Sequence, residues 1–351
     1  MPKQLVIAST PLAEWALLPK HEKQEIPERV GFMIRQEEGD YKCIDYLVAF
    51  KEICRLAAKP VDEDCRVKMC EWCYQVVDFC KFRRETVGIG MSYLDRYLCS
   101  RKGRRSLSDR KEYQLVAMTC LYIAIKIHEP LEMETSLLAD LSRGCYTEME
   151  FANMEKKILE ALVWRVSGPT PLGFAQNLLL FLPETVHSAV RGAIFDYARY
   201  QTELAIADHY FVKIKPSLTG MAAVMNAMEG MDTSLLSAKF QSKFIHTVTK
   251  YTEIDMKEVE HIQDRLSKIM LALLNDEQKK KMEALIDLED EEEEEEYARR
   301  SRHSKSRSRS PFSSPEVGAS RKVMRSPRGS SHKSPTRSGS RHKSSSSSVD
   351  Q

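Results

Sequence analysis

The chain has 351 residues, of which 42% are hydrophobic and 30% are charged, a composition that excludes a protein too polar to bury a core. The net charge is +2, but residues 297–351 carry 14 Lys/Arg against two acids, so this tail is +12 and the preceding residues are −10. A mildly acidic body therefore bears a strongly basic tail.

Nine cysteines lie between Cys43 and Cys145. Their odd number, irregular spacing and the lack of a recognisable signal peptide predict reduced thiols in an intracellular protein. Cys70 and Cys73 form one CxxC motif, whereas a zinc site would need a second pair or histidines at ligand spacing. We interpret them as core or surface thiols and expect no metal. The sequence shows no transmembrane run, and we expect no membrane partner.

The first part of the chain alternates weak and strong helical patterns. Residues 1–40 contain four prolines and weak periodicity, which predicts an irregular N-terminal arm. Residues 41–57 have apolar side chains at helical spacing and predict a surface amphipathic helix that Pro60 stops. Two further helices are predicted over residues 63–81 and 85–98.

The stretch over residues 113–127 is apolar on every helical face. Such a helix must be enclosed by others, and it is too short to cross a bilayer. Lys126 at its end either extends to water or contacts a partner. Helices over residues 134–141 and 148–163 complete a set of five. The buried positions predicted for the last are Met149, Ala152, Met154, Ile158, Leu159 and Leu162.

Two prolines at positions 169 and 171 mark a hinge, after which the plan repeats. Helices are predicted over residues 172–180, 185–212, 216–228, 235–250 and 256–274. Residues 217–227 are again apolar and rich in small side chains, like the first central helix. No strand pattern appears, so the predicted fold is all-α, with two tandem five-helix units related by duplication.

The composition changes after the last predicted helix. Residues 276–296 form an acidic linker, and residues 297–351 form a Ser/Arg-rich tail that is expected to be disordered. The tail predicts a location in the nucleus as well as the cytoplasm, and contact with RNA or Arg-Ser proteins; a solvated spacer that folds back on the acidic linker is the alternative. The candidate phosphorylation sites, each followed by proline, are Ser310, Ser314, Ser326 and Ser334.

Several separated motifs occur in the order of a known family. Residues 65–98 and 114–130 resemble the first three helices of a cyclin box. Residues 154–171 resemble its fifth helix and the following linker, and residues 200–223 are similar to the second and third helices of a second box. The chain is identified as a member of the cyclin family, nearest in pattern to the A, B and D types.

The resemblance implies a domain plan and a function. The N-terminal cyclin box with its preceding helix takes residues 41–167, and the C-terminal box takes residues 168–275. A cyclin is a regulatory subunit that binds and activates a cyclin-dependent kinase in the cell cycle, so the resemblance implies no catalytic residues and no cofactor. The kinase helix that carries an essential glutamate packs between the third and fifth helices of the first box.

The resemblance also assigns residues. Lys126 and Glu155 match the pair that binds the kinase helix, with an ordinary intradomain salt bridge as the alternative. Arg66 and Asp95 match a structural ion pair between the first two helices of the box. The residues that match a patch recruiting protein substrates with Arg-x-Leu motifs are Met69, Trp72, Gln75 and Gln114.

Some positions depart from the family. Lys68 stands where an apolar residue is usual and would repel a basic docking motif, and Cys65 stands where Met is frequent. Trp72 is equally consistent with half-buried core. Residues 127–129, Ile-His-Glu, replace an aromatic residue followed by two acids.

Other functions are weighed against this one. The Arg-Ser tail favours a cyclin linked to transcription or splicing as the alternative. An adaptor of the transcription factor IIB type would need basic helices facing DNA, which a body of net −10 disfavours. An enzyme is disfavoured because no Ser/His/Asp, glycine-rich or metal-ligand constellation appears. Lys126 and Glu155 have no counterpart after residues 217–227, which predicts that the first box makes the kinase contact.

Overall fold

The computed structural model describes residues 20–275, except for residues 56, 58 and 184 and the side chains of residues 20–24. The predicted acidic linker, the Ser/Arg-rich tail and its four Ser-Pro sites lie outside the described residues. Three helices precede the first repeated unit: α1 Lys20–Glu38, α2 Tyr46–Ala49 and α3 Lys51–Arg55.

The first unit consists of five helices around one buried member. They are α4 Glu63–Cys80, α5 Glu85–Cys99, α6 Arg110–His128, α7 Thr135–Leu141 and α8 Glu148–Ala161, with a 3-10 turn at Gly103–Ser108. Every residue of α6 from Leu115 to Ile125 is buried. The prediction that this helix is enclosed by others is therefore confirmed.

Side-chain caps fix where these helices begin. Asp62 accepts a hydrogen bond from the Cys65 amide at the start of α4, and Asp109 accepts one from the Lys111 amide at the start of α6. α8 begins with a capping box in which Thr147 and Glu150 bind each other's backbone amides. The start of α8 matters because this helix carries Glu155.

The second unit repeats the arrangement. Its helices are α9 Pro171–Leu179, α10 Ser188–Ala207, α11 Pro216–Glu229, α12 Ala238–Tyr251 and α13 over residues 256–275, with a 3-10 turn at His209–Lys213. α11 is the buried member, and a Cβ atom at Gly220 would lie 2.5 Å from the Pro171 carbonyl oxygen. The described part of the chain contains no strand, so the all-α prediction with two five-helix units is confirmed.

The irregular arm predicted for residues 1–40 is wrong over its second half, because residues 20–38 form α1 in spite of Pro27. Ile26 and Val30 lie one turn apart and are buried in the core of the second unit. Burial of this apolar stripe outweighs the poor local propensity. α1 therefore completes the second core although it precedes the first unit in sequence.

Two helix boundaries and one set of buried positions also differ from prediction. The helix predicted over residues 41–57 is split into α2 and α3, since Asp45 caps α2 and the helix ends at Phe50. The helix predicted over residues 185–212 ends at Ala207, because Asp208 caps the following 3-10 turn. In α8, Met149 and Ala152 are exposed rather than buried, and Phe151 fills the core.

Glu37 near the end of α1 anchors this helix to the second unit. Its buried carboxylate accepts hydrogen bonds from both the amide (2.9 Å) and the hydroxyl of Ser217 at the start of α11. Burial raises the pKa of Glu37 above its ordinary value of 4.5, although the two hydrogen bonds oppose the shift. The neighbouring Glu38 is exposed and binds Lys215, which lowers its pKa.

We predict opposite pH profiles for Glu37→Gln and Glu38→Gln. A raised pKa means that folded protein holds the Glu37 proton more tightly than unfolded protein, so this stabilisation is lost as pH rises through the folded pKa. Glu37→Gln should therefore gain in free energy of unfolding relative to wild type as pH rises above the ordinary carboxyl pKa of 4.5. Glu38→Gln should be less stable than wild type in the same pH range. The lowered pKa of Glu38 means that its ionised form stabilises the folded wild type above the ordinary pKa. Urea unfolding at a series of pH values from 4.5 upward measures the free energy of unfolding of both variants and wild type. Parallel pH profiles for the two variants would contradict the opposite pKa shifts of Glu37 and Glu38.

Candidate protein-docking site

Lys126 and Glu155 meet at the surface of the first unit. Lys126 lies in the last turn of α6, and its Nζ is 2.7 Å from Glu155 Oε1 on α8. α6 packs directly against α8, and the buried length of α6 ends at Ile125. Lys126 is thus the point at which this buried helix reaches solvent at its C-terminal end.

The ion pair is only partly enclosed. The Lys126 side chain is 41% exposed and that of Glu155 is 20% exposed, and Lys126 Nζ lies 5.1 Å from the centroid of the Tyr122 ring. Partial burial lowers the pKa of Lys126, but the hydrogen bond and charge of Glu155 outweigh it and raise the pKa above its ordinary value. An ammonium group has three donors, so a charged Lys126 can bind Glu155 and a partner together.

Exposed apolar side chains flank this pair in sequence. Ile127 directly follows Lys126 and is 43% exposed, and Leu131 is 67% exposed. Met149, which precedes Glu155 by less than two turns of α8, is 74% exposed. The helical pattern did not reveal Met149, since it predicted burial; only the packing of Phe151 shows which face of α8 points outward.

The residues after Ile127 hold the end of α6 in place. His128 Nε2 lies 3.1 Å from the hydroxyl of Tyr93 on α5. The Glu129 carboxylate accepts hydrogen bonds from the Arg83 amide (3.1 Å) and the Thr86 hydroxyl, and its side chain is almost fully buried. Both residues therefore bind to their own domain, which fixes the direction in which Lys126 points.

Arg66 and Asp95 form a buried ion pair between α4 and α5. Their side chains are 4% and 9% exposed, and both nitrogens of the guanidinium fork bind the carboxylate, with Nη2–Oδ2 at 3.1 Å. Burial disfavours the charge of Arg66, but Asp95 outweighs that effect and raises the pKa of Arg66. Arg66 Nη2 also donates to the Ile206 carbonyl oxygen in α10, at 2.9 Å. The Tyr46 hydroxyl donates to Asp95 at 3.2 Å. Sequence reasoning found the pair but missed Tyr46 and Ile206.

Two protein-family models match the chain and cover both five-helix units. The family model for the cyclin N-terminal domain matches residues 32–167, and the model for the cyclin C-terminal domain matches residues 169–290. The chain belongs to the cyclin family. The two five-helix units are therefore cyclin boxes, and Lys126 and Glu155 lie on the third and fifth helices of the first box.

Named relatives include cyclins of several types. This cyclin is 27% identical over 169 residues to "Cyclin-A1-4" of Oryza sativa subsp. japonica, covering 48% of this chain and 46% of that one. It is 23% identical to "G1/S-specific cyclin-D1" of Mus musculus, covering 62% and 70%. It is 32% identical over 140 residues to "G2/mitotic-specific cyclin-2" of Antirrhinum majus, covering 40% and 29%. The chain thus spans less than half of the rice and snapdragon proteins.

Among solved structures, this cyclin is similar to a viral cyclin from herpesvirus saimiri. The TM-score is 0.48 with 23% sequence identity, over 60% of this chain and 88% of the viral one.

The four residues predicted for substrate docking do not all reach the surface. Met69 is buried in the core of the first box, and Trp72 on the same helix is partly buried against it. Gln75 and Gln114 are exposed, although the Gln114 side chain accepts a hydrogen bond from Tyr146 at 2.9 Å. Met69 therefore serves packing, and substrate docking by the other three stays a prediction.

The CxxC cysteines lie inside the first box. Cys70 and Cys73 are buried, and burial raises the pKa of both thiols. All nine cysteines are free thiols. Over the described residues there is no group of three or more His, Cys, Asp or Glu side chains placed to hold a metal. In the same part of the chain, no helix has the length and apolar character needed to cross a membrane.

We predict that Asp95→Ala destabilises this cyclin strongly. Removing the carboxylate leaves Arg66 as a buried, uncompensated charge, which costs about 3–5 kcal/mol. Asp264→Ala removes an exposed partner of Lys268 and should change the free energy of unfolding by less than about 0.5 kcal/mol. Urea denaturation of the two variants measures the difference, and similar losses would show that Arg66 finds another partner.

Proposed function

We propose that this cyclin is a regulatory subunit, without catalytic residues of its own, that binds and activates a cyclin-dependent kinase in control of the cell cycle. The observation that carries the proposal is a half-exposed ion pair, Lys126–Glu155, on two helices that also carry the exposed apolar residues Ile127 and Met149. Exposed apolar groups around a few polar ones are typical of a protein interface. The relatives named as G1/S-specific and mitotic cyclins support the cell-cycle role.

The pair suits the end of a helix on the kinase. Helix ends leave backbone amides and carbonyls without intrahelical partners. Glu155 can accept from such amides and Lys126 can donate to such carbonyls, each forming a charge-assisted hydrogen bond. A cyclin that binds the active position of the kinase helix more tightly shifts the kinase population toward that state. Phosphoryl transfer itself stays with the kinase.

In the described part of the second box, the end of α11 carries no charged pair comparable to Lys126–Glu155. Near the end of α11, Asn226 Nδ2 donates to Gln201 Oε1 at 2.8 Å and to the Gln263 carbonyl at 3.2 Å. These neutral groups satisfy one another within the domain. This contrast supports kinase docking on the first box and a supporting role for the second.

We predict that reversing the polarity of the pair strongly weakens kinase binding. The double variant Lys126→Glu/Glu155→Lys keeps an ion pair within the domain, so folding should be preserved, but it exchanges the donor and the acceptor that the pair offers to the kinase helix. Dissociation constants measured against a panel of cyclin-dependent kinases should rise ~30-fold or more, as expected when buried charged contacts are broken.

The control uses a second ion pair, in which only the acidic partner lies on α8. Lys102 Nζ lies 2.9 Å from Glu160 Oε2 at the other end of α8, and both side chains are well exposed. The swap Lys102→Glu/Glu160→Lys makes the same change in charge and should leave kinase binding unaltered. Unchanged binding by the Lys126/Glu155 swap would reject this docking surface, and the absence of any binding kinase for wild type would reject the function.

We also propose nuclear as well as cytoplasmic localisation, phosphorylation at the four Ser-Pro sites, and contact of the tail with RNA or Arg-Ser proteins. The support is the sequence of residues 297–351, with a net charge of +12 and repeated Arg-Ser pairs. This tail also favours the second candidate function, a cyclin coupled to transcription or splicing.

We predict that removing residues 297–351 abolishes nuclear enrichment of the fluorescently tagged chain, because the basic tail is the proposed import and retention element. Ser→Asp at Ser310, Ser314, Ser326 and Ser334 should weaken retention partially, since each change subtracts charge from the +12 tail. A speckled nuclear pattern at constant level through the cell cycle would favour the splicing function. An unchanged nuclear fraction after deletion would contradict the role of the tail.

A further inference from the structure

Two cysteine thiols far apart in sequence meet beside the first box. Cys43 lies in the segment between α1 and α2, and Cys99 is the last residue of α5. The two thiols are close enough for each to shift the pKa of the other. Independently, Cys99 Sγ lies 3.7 Å from the carbonyl oxygen of Ile44, the neighbour of Cys43. The fold thus places the two sulfurs next to each other.

The surroundings make this pair more accessible than the core thiols. Cys43 and Cys99 are both partly exposed, whereas Cys70, Cys73 and Cys120 are buried. Cys43 also lines a cavity of about 360 Å³ between the two boxes. A small oxidant can therefore reach the pair. Cys145 is more exposed than either of them.

We propose that Cys43 and Cys99 are a redox modification site that forms an intramolecular disulfide on exposure to hydrogen peroxide. The segment that carries Cys43 would then be covalently tied to the end of α5. The proposal is independent of whether this cyclin binds a kinase.

Cys99 is the thiol that reacts first. The hydrogen bond from Cys43 stabilises the Cys99 thiolate and lowers the pKa of Cys99, and the same interaction, together with burial, raises the pKa of Cys43. The thiolate attacks one peroxide oxygen, the O–O bond breaks, and Cys99 becomes a sulfenic acid while hydroxide leaves and takes up a proton. The Cys43 sulfur then attacks the Cys99 sulfur, loses its proton and expels the second hydroxide as water. One peroxide and two thiols thus give one disulfide and two waters.

The segment over residues 40–45 connects several parts of the molecule, so the disulfide has a structural consequence. The Asp45 carboxylate lies 3.0 Å from His209 Nε2 and 3.5 Å from Lys213 Nζ, both in the second box. Arg96 of α5 stacks over the Tyr41 ring, with 4.3 Å from its central carbon to the ring centroid. A Cys43–Cys99 bond would fasten these contacts to α5 and restrict the unfolded chain, so the oxidised protein should melt at a higher temperature.

The test is peptide mapping of the full chain. Reduced protein is treated with stoichiometric hydrogen peroxide, remaining thiols are blocked with N-ethylmaleimide, and the protein is digested with trypsin without reductant. Cleavage after Lys42, Lys51, Arg96 and Arg101 isolates the two cysteines in separate peptides. We expect a disulfide-linked species joining residues 43–51 to residues 97–101 that dithiothreitol removes, and a melting temperature several degrees higher than that of reduced protein.

Three variants complete the test. Cys43→Ser and Cys99→Ser should lose both the linked species and the rise in melting temperature, and their melting curves in reductant show that they fold. Cys145→Ser, the matched exposed-cysteine control, should retain both. The proposal is overturned if wild type shows N-ethylmaleimide on both cysteines after peroxide treatment. It is equally overturned if Cys99 oxidises to sulfinic acid without linkage, or if either cysteine pairs with a different partner.

Discussion

The Arg66 guanidinium is the charge on which the arrangement of the two boxes depends. It lies between α4 and α5, binds Asp95 with both ends of its fork, and donates to a carbonyl of α10 in the second box. The Tyr46 hydroxyl adds the segment before the first box to the same cluster. A buried charge costs several kcal/mol unless its partners are in place. Four separate parts of the chain are therefore fixed relative to one another by the requirement to satisfy one side chain.

This requirement also explains how a site on the surface obtains a rigid position. α5 is anchored by Asp95, and α6 packs along it so closely that a Cβ atom at Gly90 would lie 3.1 Å from the Leu121 Cα atom. At the far end of α6, Glu129 and His128 bind back to residues at the start of α5 and in its middle. Lys126 is held between these contacts. A preorganised pair loses little conformational freedom when a partner binds, and that is a direct gain in affinity.

Local patterns were sufficient for the parts of the fold that local chemistry determines. The apolar residues of α6, the prolines around the start of α9 and the small residues of α11 predicted the helices and their repeated arrangement. The same patterns failed where contacts with distant parts of the chain determine whether a helix forms or a side chain is buried. The four prolines of residues 1–40 led to the prediction of an irregular arm instead of α1. The stability of α1 comes from burying Ile26 and Val30 in the second core. Met149 looked like core because its spacing fits a stripe, yet Phe151 occupies that space. The partners Tyr46 and Ile206 of the Arg66 cluster lie 20 and 140 residues away, beyond any helical period.

The two boxes share one architecture but differ in how their central helices end, and the difference has a physical logic. Amide groups around Asn226 satisfy one another without burying a charge, so they stabilise the second box whether or not a partner is present. A half-exposed ion pair such as Lys126–Glu155 contributes little to the stability of the isolated domain. On docking it must lose water, and only a partner with a donor for Glu155 and an acceptor for Lys126 compensates for that loss. Under the proposed docking, a partner with the wrong polarity would leave two desolvated charges unpaired, so the pair would select the correct partner rather than hold the box together.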